Sequence, residues 1–87
     1  DRLEAVGAIG ITRCFLTGGS MGTPLYDPSD PFAENRDPDD RRFTLDHFYC
    51  KLLGLAETMK TDAGRDEAVK RTDYMRDFLQ QLRSEIS

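Results

Sequence analysis

The sequence predicts an all-α fold: a helical bundle segment of about three helices, with one long Pro/Gly/Asp-rich loop. Three observations support this. Apolar residues recur at helical spacing in the first 17 residues, again from Leu45 to Leu53, and again from Ala68 to Ile86. No stretch shows the apolar–polar alternation of a strand. All 4 prolines and three of the 7 glycines fall between residues 18 and 43, where periodicity stops.

The first helix is expected from Asp1 to Leu16 or Thr17, ending at Gly18-Gly19. It reads as apolar on nearly all sides, the pattern of a helix in the middle of a domain. Gly7, Gly10 and Cys14 make a narrow face, suited to close approach of another helix. Arg2 and Arg13 stand close to three turns apart, so they share a face that meets either a polar cleft or solvent.

Residues 18–43 then form the long loop, with Asp27-Pro28, Asp30-Pro31 and Asp37-Pro38 as repeated turn starters and Tyr26 and Phe32 pinning it to the body. The run Gly18 to Pro24 is glycine-rich, but it lacks the Lys-Ser/Thr ending of a phosphate-binding loop and reads as a flexible helix exit. The loop's acidic residues lack calcium-loop spacing and read as a solvated surface.

The second helix starts at Thr44 as N-cap, with Asp46 in its first turn. Leu45, Phe48, Tyr49, Leu52 and Leu53 form its apolar stripe, and Gly54 ends it. His47 and Lys51 lie one turn apart on its other face. Together they hold a phosphate or form a plain surface pair. With a single histidine the chain builds no hydrolytic triad, and Cys14, His47 and Cys50 lack zinc-ligand spacing. The third helix runs from Thr61-Asp62 to about Ile86, with Ala68, Val69, Met75, Phe78, Leu79, Leu82 and Ile86 as its apolar face. Asp66 with Lys70, and Glu67 with Arg71, are supporting i, i+4 pairs.

Composition narrows the function. The chain has 87 residues, enough for one small domain with a lean core, and a net charge of −4 with scattered basic residues, which argues against nucleic acid as a partner. No apolar run is long enough to span a membrane. Two cysteines in helical settings read as reduced thiols of a cytoplasmic protein. The first residue is Asp rather than Met, so processing or truncation is expected.

The run Asp1-Arg2-Leu3-Glu4-Ala5-Val6-Gly7-Ala8-Ile9-Gly10-Ile11-Thr12-Arg13 resembles the last motif of a bacterial branch of the HD-domain metal-dependent phosphohydrolases. Asp46 to Leu53, Met59 to Arg65, and Arg71 to Leu79 resemble that branch in the same order. The resemblance implies an all-helical fold and a metal held by a histidine, a His-Asp doublet and a final aspartate. Asp1 matches that aspartate. On periodicity alone Asp1 is merely a helix-starting acid. The cofactor implied is a divalent metal, manganese, magnesium or similar, which activates water and polarises a phosphoryl oxygen. The substrate implied is a small phosphorylated molecule, a nucleotide or other phosphate ester, with Arg2, Arg13, His47 and Lys51 as candidate phosphate contacts. The histidine and His-Asp motifs are expected upstream. Residues 1–87 are therefore expected to be the C-terminal helical part of such a domain, inactive alone and inclined to self-associate or to pair with the missing N-terminal half. The competing expectation is a small non-catalytic helical interaction module. An enzyme part leaves the first helix needing cover, whereas a module buries it with its own helices.

Overall fold

The computed structural model describes residues 2–86. The described residues are helical, with turns and no strand. A 3₁₀ turn (Arg2–Ala5) precedes helix α1 (Gly7–Met21). The long loop leads to the short helix α2 (Asp46–Cys50), a 3₁₀ segment (Leu52–Thr58) and helix α3 (Asp62–Ile86). The 25 residues of α3 run the length of a molecule measuring 39 × 26 × 21 Å.

The first helix is broken where the sequence predicts continuity. Val6 is extended and fully buried, and Gly7 has φ +76°, a left-handed conformation that glycine adopts freely. Arg71 on α3 secures the break: its guanidinium donates to the Leu3 carbonyl at 2.6 Å and is held by Glu67 at 2.9 Å. Arg2 and Arg13 therefore do not share a helix. Gly10 is small for a local reason, since a Cβ there would strike the Ala5 carbonyl of the preceding turn rather than a neighbouring helix.

The helix also ends later than Gly18-Gly19. Gly18 stays within the helix, and its missing Cβ admits the Thr44 side chain. Gly22, at φ +73°, closes the helix: its N–H donates to the Gly19 carbonyl, and the Thr23 N–H donates to the Gly18 carbonyl.

Thr44 does not cap α2. It is buried, and Leu45 takes the N-cap position. The Thr44 and Leu45 amides instead donate to the Pro24 and Leu25 carbonyls, each at 2.9 Å, which fastens both ends of the loop together. The expected helix to Leu53 stops at Cys50, and the chain continues as 3₁₀ through Gly54. At α3, Thr61 accepts the Gly64 N–H at 3.0 Å, as an N-cap does.

The core gathers Val6, Ile11, Phe32, Leu45, Phe48, Leu52, Leu55, Met75 and Leu79. Against the fully buried Phe48 pack the half-buried Phe15 and Phe78, with ring centroids 5.8 to 6.4 Å apart. Val69 does not join the apolar face of α3 and is 46% exposed. Nor is α1 buried on nearly all sides: Ile9 is 53% and Leu16 72% exposed. Tyr26 and Phe32 do pin the loop, Tyr26 against the core and Phe32 within it. Arg83 of α3 stacks 4.2 Å over the Phe32 ring.

Candidate functional site

Beside α1 lies a cleft of about 460 Å³. One side of α1, the 40–41 turn of the loop and the start of α2 enclose it. Glycines at 10 and 18 keep its wall low, while Met21 and Leu52 give it apolar surface. Arg13, Cys14, Asp40, Arg41 and His47 supply its polar groups.

These groups differ in how they are held. His47 Nδ1 lies 2.8 Å from Asp40 Oδ2, with both side chains about one-third exposed. Arg13 pairs with Glu4 at 3.4 Å in solvent, a contact that holds it weakly. The Arg41 guanidinium has no ion-pair partner among the described residues. Burial, with Asp40 nearby, pushes the Cys14 thiol up to about 11. It also lies 3.8 Å from the Thr44 carbonyl. A thiol so weakly acidic is no nucleophile at neutral pH.

The turn that carries Asp40 and Arg41 is anchored from below. Asp46 is fully buried and accepts two bonds from Arg36, at 2.6 and 3.2 Å, and the Asp39 N–H at 2.7 Å. Arg36 also donates to the Asp30 carbonyl, lies 3.2 Å from Asp27, and sits 4.9 Å over the Phe43 ring. These partners hold its guanidinium charged, with its pKa raised above the ordinary arginine value chiefly by the Asp46 hydrogen bond. Asp30 is held below the usual carboxylate value, first by the Asn35 and then by the Glu34 amide. The acidic loop is thus a structure built around one arginine.

The residues singled out from the sequence separate here. Arg13 and His47 come together on the cleft. Lys51 closes the end of α2, exposed and outside the cleft wall. Arg2 belongs to the 3₁₀ turn, and Asp1 lies outside the described residues. From the sequence, Asp40 reads only as one of the solvated loop acids, and Arg41 carries no site reading. Their signal was weak, two charges in a charged loop, and only folding brings them to α1. Among the described residues no group of three or more His, Cys, Asp or Glu is placed to hold a metal ion. The described part therefore does not fit a metal by itself.

No family model matches the chain. Among solved structures, an HD-superfamily hydrolase from Bacillus thuringiensis aligns with 98% of the chain at TM-score 0.81 and 45% identity, and the match spans 41% of that protein. The chain belongs to the HD superfamily. Bacillus subtilis YpgQ, solved in complex with ADP, matches 99% of this HD-superfamily chain at TM-score 0.81 and 37% identity, over 40% of its own length. The mimivirus protein L803 is 38% identical over 71 residues, which is 63% of the chain and 29% of L803. The HD-superfamily chain thus spans about two fifths of the length of the Bacillus relatives it matches. The superfamily is one of metal-dependent phosphohydrolases.

Proposed function

We propose that the protein to which this chain contributes hydrolyses a nucleotide, or a similar small phosphate ester, with the help of a divalent metal. One observation carries the reading. A chain 37% identical to a protein solved with ADP brings Arg13, Arg41 and His47 to one cleft of about 460 Å³. Arginine suits phosphate through its planar array of donors, and the apolar Met21 and Leu52 surface suits a base.

Asp1 is the metal ligand in this reading, and the other ligands come from the remainder of a longer protein. The chain alone is then inactive. Manganese, magnesium or a similar hard cation, when bound, supplies an activated water and polarises a phosphoryl oxygen. Arg13, Arg41 and His47 bind and orient the substrate. No helix of the described residues is long and apolar enough to cross a membrane, and Cys14 and Cys50 are free thiols, in keeping with a cytoplasmic protein. The exposed Ile9 and Leu16 favour an enzyme part over a self-contained interaction module. The cover they need comes from the rest of the protein or, in its absence, from self-association. Neither nucleic acid nor membrane is a partner in this reading.

The test measures divalent-metal content and nucleoside triphosphate hydrolysis by the full-length protein. Asp1→Ala is expected to lower both, with activity falling on the order of 100-fold or more. Full metal content and activity in that variant would remove Asp1 from the metal site. Arg41→Ala is expected to raise KM, and an unchanged KM would remove Arg41 from substrate binding. Lys51, outside the cleft wall, is expected to leave KM unchanged when replaced by Ala.

A further inference from the structure

The contact between His47 and Asp40 fixes more than a ring position. A carboxylate only accepts hydrogen bonds, so at 2.8 Å from Asp40 Oδ2 the Nδ1 atom carries the proton. In the neutral ring the lone pair then stands on Nε2. Nε2 has no partner among the described residues. Asp40 and His47 both line the cleft, together with Cys14, Arg13 and Arg41.

Asp40 is not on a loose loop. Asp39 donates its N–H to the buried Asp46 carboxylate, and the Asp39 carbonyl accepts the Arg42 and Phe43 amides, each at 3.1 Å. The Arg36–Asp46 pair therefore holds the turn, the turn holds Asp40, and Asp40 holds the imidazole. A plain surface pair needs no such support. Arg41 is the next residue on the same turn and lines the same cleft, with no ion-pair partner among the described residues.

We propose that Asp40 is a positioning residue that keeps His47 in its Nδ1–H form, so that Nε2 accepts a hydrogen bond from a sugar hydroxyl of the nucleotide while Arg41 binds its phosphate. The proposal rests on the nucleotide reading above and adds which part of the nucleotide each side chain recognises. Phosphate oxygens at neutral pH are acceptors and match Arg41. A hydroxyl is a donor and matches an unprotonated Nε2.

The experiment uses the full-length protein, with ADP and 2′,3′-dideoxy-ADP as probes. Nitrogen-15 spectra, with the His47 resonances assigned by their loss in His47→Ala, are expected to show the proton on Nδ1. In Asp40→Ala that preference is expected to disappear, with the melting temperature unchanged. By calorimetry, wild type is expected to bind ADP about 3- to 10-fold more tightly than the dideoxy compound, the range of one hydrogen bond. His47→Ala and Asp40→Ala are expected to abolish that preference, whereas Arg41→Ala weakens both ligands alike. A proton on Nε2 in wild type would overturn the positioning role. Equal loss of both ligands in His47→Ala would overturn the sugar contact. Absence of ADP binding by wild type would instead sink the nucleotide reading, and the nitrogen spectra would still decide the tautomer.

Discussion

In α1, Ile9 and Leu16 stand in solvent beside Ala8, Thr12, Gly19 and Ser20, with Arg13 the one charged residue of the helix. The loop that follows is far more polar, yet it places Phe32 in the core and Arg36 mostly out of water. The difference is one of partners. The loop brings its own: Asp27, Asp30 and Asp46 surround Arg36, and Arg83 covers Phe32. Charge enters an interior when its counter-charge and hydrogen bonds come with it. Among the described residues nothing covers Ile9 and Leu16 on the outer face of α1. Apolar composition makes burial favourable, but only a neighbouring surface makes it possible.

Three pairs of measurements break or sharpen this contrast. The largest effect is expected from Phe32→Ala, which should destabilise the protein by about 3 kcal/mol or more in urea denaturation. Leu16→Ala, more hydrophobic in context but exposed, should stay within about 0.5 kcal/mol. Equal costs would mean that α1 is covered in solution, by a second copy or otherwise. Next come two adjacent glycines of α1. Gly18→Ala puts a Cβ against the Thr44 side chain and should cost about 1–3 kcal/mol. Gly19→Ala meets nothing within 4 Å and should stabilise by about 0.5 kcal/mol through helix propensity. Thermal melts of the two variants should therefore shift in opposite directions.

The smallest effect concerns acid. Folding holds the Asp30 carboxyl below its usual value, through the Asn35 and Glu34 amides. Its contribution is complete above the ordinary carboxylate range, near about 4, and is lost as the pH falls through the lower folded-state value. Hydrogen exchange at the Glu34 and Asn35 amides, corrected for intrinsic rate, should accelerate in that window, while α1 amides keep their protection. Asp30→Asn should remove the pH dependence. A loop that loosens equally in that variant would place the acid sensitivity elsewhere.

Much of the fold was legible because its signals are local. The third helix starts at Asp62 and runs to Ile86, the stripe around Leu45, Phe48 and Leu52 faces inward, and the aromatic residues of the loop dock, all as spacing and residue type predict. The site was legible only in part. His47 and Arg13 stood out by residue type, but Asp40 and Arg41 become site residues through a turn whose anchor is the buried carboxylate of Asp46. Lys51 shows the converse: helical spacing put it beside His47, and the end of α2 at Cys50 leaves it outside the cleft wall.

The sequence by itself determined that the protein is helical, where its long loop lies, and which superfamily its motifs resemble, because periodicity and residue order act over a few turns of chain. Tertiary structure alone decided where α1 breaks and ends, that an acidic loop closes around one arginine, and that Asp40 and His47 meet. Those outcomes depend on contacts between distant residues, such as Arg71 with the Leu3 carbonyl and Gly18 with Thr44. Such contacts have no signature in local spacing, since each forms only once the rest of the chain has brought its partner within reach.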